Sequence, residues 1–414
     1  MTNCNKLRQY QIDGVNQLIA FNRDAILADE PGLGKTIQVA HYINLTKPNK
    51  ILIVCPASLR TNWGIELGKW LEFNADYQIL SYEGTAKNDI SGEYDLAVFD
   101  EAHYLKNPKA ARTKRCLGLK AKRKLYLTGT PIINRPMDMF PILQSIGLKM
   151  TMTDFGRKYC AGYLQLIRYN PRKYAWNFNG ASNTDKLNEL LTKNCMVRRR
   201  KADVLTELPA KVRQVIELSV KCSEDKNLRK TMLKHFRSFT DAADAIGETL
   251  PIPFTELASY RLEQARTKLP LAIEYIKNLV EEVGKVVVFA YHREIINELA
   301  DNLPNSVKLY GGMIDKQKQK AVDDFQRGDA QVFVGQITAA GTGLTLTASS
   351  TVVFVELDWV PGNVIQAEDR CHRLGQKDTV HAIHLVVKDT IDSLMVKALV
   401  RKQKIIEEVI NAKE

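Results

Sequence analysis

Apolar positions along the chain gather into short, β-branched runs: Ala25-Ile26-Leu27-Ala28, Ile51-Leu52-Ile53-Val54, Leu96-Ala97-Val98-Phe99, Val286-Val287-Val288-Phe289-Ala290 and Thr351-Val352-Val353-Phe354-Val355. Runs this short that are apolar without alternation predict strands buried on both faces. Helical patterns lie between them, and that alternation predicts parallel sheets with flanking helices, an α/β fold. One group of strands precedes residue 150 and another follows residue 280. We therefore expect two α/β lobes, 1–150 and 266–414. The intervening 151–265 turns aromatic, polar and basic around Tyr169 to Trp176 and turn-rich at Asn177-Phe178-Asn179-Gly180, and it is expected to form helical protrusions and a linker.

A length of 414 residues agrees with two or three domains. The 59 Lys and Arg outnumber the 47 Asp and Glu, a net charge of +12 that favours an acidic polymer as partner. Ten of the cations fall in residues 102–137, which hold no Asp or Glu. Such a run suits sequence-blind, salt-dependent phosphate contacts, or else a solvated helix face. Seven scattered cysteines with no C-x-x-C argue against a disulfide framework and a zinc site, and point to a reducing compartment. No apolar run approaches the ~18 residues of a membrane span. Tyr169, Tyr174, Trp176 and Phe178 are read as packing within a protrusion in preference to base stacking.

Three segments carry candidate chemistry. Asp29-Glu30-Pro31-Gly32-Leu33-Gly34-Lys35-Thr36 follows a strand and opens a helix, the setting in which backbone N–H groups cradle phosphate. Lys35 would neutralise the β- and γ-phosphates and Thr36 would ligate magnesium. Asp29 stands where the general pattern has glycine, Pro31 removes one N–H donor, and Asp29 and Glu30 add negative charge, which points to hydrolysis slower than the motif set suggests. Asp100-Glu101-Ala102-His103 ends a strand, where one carboxylate is placed to hold magnesium and the other to polarise an attacking water. In Gln366-Ala367-Glu368-Asp369-Arg370-Cys371-His372-Arg373-Leu374-Gly375-Gln376, a helix would put Gln366, Arg370 and Arg373 on one face, and paired guanidinium groups suit a transferring phosphoryl group.

With these segments in order, the chain resembles helicase superfamily two and, within it, the Swi/Snf-type double-stranded DNA translocases. Leu7-Arg8-Gln9-Tyr10-Gln11 is similar to the family's adenine-reading motif, with Gln11 as the base contact. Asp29 to Thr36 resembles motif I, with Pro31 in place of the usual methionine, and Asp100 to His103 resembles motif II, a DEAH-type box. Cys55-Pro56-Ala57-Ser58-Leu59 with Asn62-Trp63 resembles motif Ia, and Ser81-Tyr82-Glu83 motif Ib. Leu127-Thr128-Gly129-Thr130-Pro131 resembles motif III, which links ATP state to DNA grip. Met196 to Leu205 with Leu208-Pro209-Ala210-Lys211 resembles the interlobe hallmark, Val288 to His292 motif IV, Ala339 to Thr347 motif V and Gln366 to Gln376 motif VI.

The resemblance implies two tandem RecA-like domains with helical protrusions between them, and ATP with Mg2+ in the interlobe cleft. By that resemblance the ATP-binding set is Gln11, Asp29, Gly32, Gly34, Lys35, Thr36, Gly343 and Gln366; Lys35, Asp100, Glu101, Arg370 and Arg373 are catalytic; and Thr36 and Asp100 hold the metal. DNA contacts fall to Pro56, Ala57, Ser58, Ser81, Tyr82, Thr128, Tyr291, His292, Thr338 and Ala339. The implied activity is a DNA-dependent ATPase translocating on double-stranded or forked DNA. The alternatives are a strand-annealing or strand-separating helicase, an RNA remodeller, or an ATP-gated scaffold. Asp154 to Cys160 and the interlobe hallmark look most like the annealing-helicase, fork-remodelling branch. The first motif begins at residue 7 and 38 residues follow Gln376 (414 − 376), so the expectation is a bare, monomeric motor of phage or prokaryotic type, cytoplasmic there and nuclear in a eukaryote.

Overall fold

The computed structural model describes residues 7–132, 134–168, 173–220, 254–340, 344–388 and 390–410. The chain divides into two compact units, 1–206 with 404–414, and 207–403. Among the described residues no helix is long and apolar enough to cross a membrane.

The first unit is built on the strands β1 (Ala25–Leu27), β2 (Lys50–Cys55), β3 (Asp76–Ser81), β4 (Tyr94–Asp100), β5 (Ala121–Leu127) and β8 (Met196–Val197). They form one six-stranded, all-parallel sheet in the order β3-β2-β4-β5-β1-β8. The unalternating apolar runs become β1, β2 and β4, buried along almost their whole length because helices cover both faces. Helix α1 (Gln9–Ala20) precedes β1, α2 (Lys35–Thr46) follows it, and α3 (Arg60–Trp70) follows β2. The two faces carry separate cores, one around Phe99, Tyr126 and Phe155, the other around Val39, Ile53 and Trp63.

The second unit repeats the plan with β9 (Lys211–Leu218), β10 (Val286–Ala290), β11 (Ser306–Leu309), β12 (Val332–Gln336), β13 (Thr351–Phe354) and β14 (Val380–Val387). These make a six-stranded parallel sheet in the order β11-β12-β10-β13-β14-β9. Each unit is thus a parallel sheet between helices, the RecA-like plan in tandem.

The middle segment differs from its expectation as protrusion and linker alone. It contains helices Met152–Tyr159 and Thr184–Asn194, but also β8 and β9, which complete the edges of the two sheets. A two-stranded antiparallel hairpin, β6 (Tyr163–Arg168) with β7 (Lys173–Asn177), stands between those helices. The two residues of β8 are too few to show periodicity, and β9 is an edge strand with an exposed side, so neither carries a buried-strand signature. The aromatic reading divides as well: Phe178 is buried, whereas Tyr174 and Trp176 are exposed. Tyr169 lies outside the described residues.

Candidate nucleotide half-sites and nucleic-acid contacts

The loop from β1 to α2 leaves the carboxyl edge of the first sheet, where parallel α/β folds bind ligands. Gly34 caps α2 at φ +76°, and a Cβ there would lie 2.5 Å from Gln11 Nε2. Glycine therefore meets two demands, left-handed backbone and close approach. Gly32 also takes positive φ, +92°. Gln11 is buried: its Oε1 accepts the Arg8 N–H (3.0 Å) and its Nε2 donates to Leu33 O (3.2 Å), joining α1 to the loop. Lys35 Nζ donates to Asp29 O at 2.7 Å, and burial lowers its pKa while Glu101, Asp29 and Asp100 oppose the shift. Thr36 is half-buried on the first turn of α2.

Asp29 is fully buried, and its charge is matched. Arg199 Nε and Nη2 grip Oδ1 and Oδ2 at 3.0 and 2.9 Å, and the Arg199 N–H donates to Oδ1 at 2.9 Å. Gln38 bridges the pair, giving Nε2 to Asp29 Oδ2 (2.8 Å) and accepting from Arg199 Nη2 (3.0 Å). Arg199 Nη1 also donates to Tyr10 O, and the guanidinium fills the space a Cβ on Gly14 would need. Next along the chain, Arg198 Nη1 reaches Ala28 O at 2.6 Å, and the Lys201 N–H reaches Glu30 Oε2 at 2.7 Å. The added negative charge expected from Asp29 and Glu30 is thus largely offset, and β8 delivers the cations by pairing with β1. Pro31 is buried against Gly129 of the motif III segment, a packing contact in place of the donor it lacks.

Asp100 ends β4 and Glu101 follows at φ +50°, a costly backbone state for a non-glycine residue. Trp63 Nε1 donates to Asp100 Oδ2 at 2.8 Å, and the Glu101 N–H to Oδ1 at 2.9 Å. Burial, then the neighbouring Glu101, raise the Asp100 pKa to about 6 against the pull of Trp63 and Lys35. Glu101 Oε2 lies 3.2 Å from His103 Nδ1, which lies 3.4 Å from Thr128 Oγ1, which accepts the Thr130 N–H at 3.1 Å. His103 thus sits between the motif II acid and motif III. A carboxylate fixed by one donor on each oxygen, beside a threonine-bearing helix start, is a hard-oxygen donor set that fits magnesium.

Of the expected DNA contacts in this unit, Pro56 is buried while Ala57 and Ser58 are exposed just beyond β2. Ser81 Oγ accepts the Gly84 N–H at 2.8 Å. Tyr82 is buried, stacked on Tyr104 with ring centroids 5.2 Å apart, and its hydroxyl donates to Asp100 O at 2.8 Å. Both it and the buried Thr128 support the carboxylate edge from inside the core.

In the second unit, helix Pro361–Glu368 stops before the arginines. The expected single helical face through Gln366, Arg370 and Arg373 is corrected: residues 369–373 form tight turns, with the Arg370 N–H on Ala367 O (3.1 Å) and the Cys371 N–H on Glu368 O (3.2 Å). Two anchors redirect the chain. The Leu346 N–H donates to Arg370 O at 2.9 Å, and fully buried Glu368 is held by Arg213 (2.8 and 2.7 Å) and Lys211 (2.9 Å) from β9. These cations hold the Glu368 carboxyl well below its usual range although burial opposes them. Arg370 is buried with Nε on Gln366 O (2.9 Å) and Nη1 directed to Leu344 O (3.3 Å); Arg373 is half-buried with Nε on Asp369 O (3.1 Å). Gln366 is buried, and Gly343 lies outside the described residues.

The Tyr291 and His292 N–H groups both donate to Glu356 Oε2 at 2.9 Å, and His292 Nδ1 lies 2.6 Å from Oε1. Thr338 is exposed and Ala339 half-buried on the short helix Ile337–Ala340. Sequence reasoning missed the work of Trp63, Gln38, Arg198, Arg199, Lys211, Arg213 and Glu368. The interlobe hallmark and motif Ia contain five of these seven or border them, and that is the signal that would have found them.

Residues 10–95 and 75–250 match the model of the SNF2-related domain, and residues 268–375 that of the helicase conserved C-terminal domain. The chain belongs to the SNF2-related family. Among its relatives, the DNA annealing helicase and endonuclease ZRANB3 of Homo sapiens is 31% identical over 99% of this chain and 41% of that protein. A Caenorhabditis elegans SWI/SNF-related matrix-associated actin-dependent regulator of chromatin subfamily A-like protein 1 homolog is 32% identical over 98% of this chain and 62% of that one. The Sulfolobus solfataricus SWI2/SNF2 ATPase core in complex with dsDNA aligns at 21% identity and TM-score 0.45, over 99% and 97% of the two chains. This SNF2 chain spans about two fifths of the length of its mammalian relatives.

Proposed function

We propose that the chain is a DNA-dependent ATPase that translocates along double-stranded DNA and remodels forked or protein-bound DNA. The observation that carries it is the buried charge cluster at the carboxyl edge of the first sheet, where Lys35 lies within the electrostatic reach of Asp29, Asp100 and Glu101. A lysine held on the loop's own carbonyls, at a helix start with a glycine cradle, is a phosphate site in waiting. Phosphate arriving there takes over Lys35 from Asp29 O, and the charge it brings favours the ionised amine.

Thr36 and Asp100 would hold magnesium, which supplies charge neutralisation at the phosphates when bound. Trp63 and the Glu101 N–H hold the Asp100 carboxylate in one orientation. Glu101 is the group that takes the proton of the attacking water, and His103 carries its position to Thr128. In the second unit Glu368 fixes the turns that carry Arg370 and Arg373, the guanidinium groups assigned to the transferring phosphoryl group. The name of one relative, DNA annealing helicase and endonuclease, supports DNA as the substrate. The motor works as a monomer, in the cytoplasm of a prokaryotic or phage-infected cell or in a eukaryotic nucleus.

The test is ATP hydrolysis by the purified chain alone and with blunt duplex, forked, single-stranded DNA and RNA at two salt concentrations. Stimulation by duplex or forked DNA that disappears in Lys35→Ala and Glu101→Gln, with DNA binding retained, is the expected result. Full activity in either variant, or equal stimulation by RNA, overturns the reading.

A further inference from the structure

The hairpin β6–β7 exposes what a protein normally buries. Tyr163 and Leu164 are each 56% exposed, Tyr174 54% and Trp176 39%. The register pairs Leu164 with Trp176 and Leu166 with Tyr174, so these four share one face of the ribbon. Below them Trp176 stacks on Phe178, ring centroids 5.6 Å apart and planes 11° from parallel, and Phe178 is anchored in the core against Gly156 and Gly162. The outer ring therefore stands on a fixed base. A two-stranded ribbon has no second layer to cover such a face.

Charge identifies the occupant. Residues 155–184, which contain the hairpin and its supports, hold five Lys or Arg (Arg157, Lys158, Arg168, Arg172, Lys173) and no Asp or Glu. Arg157 and Lys158 are exposed on helix Met152–Tyr159, whose Gly156 carbonyl accepts the Gly162 N–H at the hairpin's foot. An apolar partner strand or peptide asks for no such excess of cations, and a paired duplex offers no free base faces. Unpaired bases on a phosphate backbone ask for both features, flat rings to stack on and cations alongside.

We propose that the β6–β7 ribbon is a stacking platform for unpaired DNA bases, with Trp176 and Tyr174 as the stacking rings and the exposed Arg157 and Lys158 at its foot holding the strand's phosphates. The inference rests on the reading that the chain acts on DNA, and gives the single-stranded part of a fork or gap a site of its own, apart from the duplex track. Trp176 and Tyr174 are surface residues, so replacing them spares the core.

The experiment measures binding of a fluorescent oligo-dT, a fork with a single-stranded arm and a blunt duplex to wild-type chain and to Trp176→Ala/Tyr174→Ala. Melting temperature serves as the folding control, and duplex-stimulated ATP hydrolysis tests the motor reading separately. The expected result is a loss of roughly tenfold or more for oligo-dT and the fork, with blunt-duplex affinity and duplex-stimulated hydrolysis as in wild type. Trp176→Phe, which keeps a ring, restores much of the loss. Unchanged oligo-dT affinity in the double variant overturns the proposal, as does an equal loss on blunt duplex. A wild-type chain that no DNA stimulates overturns the motor reading instead.

Discussion

Arg199 and Asp29, 170 residues apart, form a two-toothed ion pair: Nε on Oδ1 at 3.0 Å and Nη2 on Oδ2 at 2.9 Å, with the carboxylate fully buried. The same aspartate's carbonyl holds Lys35, so Arg199 sets the phosphate loop from behind.

Removing only the arginine leaves a buried carboxylate beside the place where phosphates bind, and single-partner loss is costly. Arg199→Ala is expected to weaken nucleotide binding by about tenfold or more. Asp29→Asn in that background removes the uncompensated charge and returns most of the affinity. Titration with a fluorescent ATP analogue checks this, and a double variant no better than Arg199→Ala refutes it.

Trp63 makes the state of Asp100 visible. With the native pKa raised from 3.8 to about 6, the folded chain keeps its proton in a window where the unfolded chain has lost it. Ionisation therefore costs stability as pH rises from 3.8 through 6. Asp100→Asn should melt above wild type at pH 7 and lose that advantage in acid, while abolishing hydrolysis. Intrinsic fluorescence should show a transition near pH 6 in the wild type that is absent in both Asp100→Asn and Trp63→Phe; a transition persisting in Asp100→Asn assigns it elsewhere.

Much of this was legible in the sequence because local pattern encoded it. The unalternating runs at Ile51–Val54 and Val286–Ala290 announced buried parallel strands, and the Gly34-Lys35-Thr36 turn announced a phosphate loop. What escaped is what long-range pairing decides. Asp29 looked like a departure from the glycine pattern because its partner arrives from just beyond β8, 170 residues on. The helix through Arg370 looked continuous because helical spacing says nothing of Glu368 being drawn to β9. Trp176 looked like core because ring content does not say which side of a ribbon remains uncovered.

The Glu368 cluster should behave as an acid-sensitive clasp in the second unit. A carboxyl held below its usual value contributes stability fully above 4.5 and loses it as pH falls through the depressed native value. Glu368→Gln takes from Arg213 its buried carboxylate partner and leaves Lys211 with Asp369 alone, and is expected to cost about 3 kcal/mol at neutral pH. The gap to wild type should shrink steadily below pH 4.5. Thermal or denaturant melts across that range check it, and a pH-independent gap points to lost packing alone.

The basic run 102–137 divides into cations with structural work and cations facing solvent. Lys124 is buried with Nζ on Leu117 O at 2.7 Å, Arg115 Nη1 donates to Thr85 O at 2.6 Å, and Arg123 Nη2 to Asn22 Oδ1 at 3.0 Å. Lys122 pairs with Asp95 at 2.7 Å, and Arg135 lies 3.6 Å from Asp138. Lys106, Lys109, Lys114 and Lys120 are exposed. Arg112, over the Tyr104 ring, and Lys122 are exposed too and can join this second group at a phosphate backbone, whereas buried Lys124 cannot, so the run is a smaller DNA footprint than its charge suggests. Lys109→Ala with Lys114→Ala should weaken binding evenly across duplex sequences and lower the slope of log affinity against log salt by about 1 for each phosphate left without its lysine, with an unchanged melting temperature. Lys124→Met should do the reverse, lowering the melting temperature while leaving the salt slope as it is. An unchanged slope in the Lys109/Lys114 variant would return those lysines to the role of a solvated face.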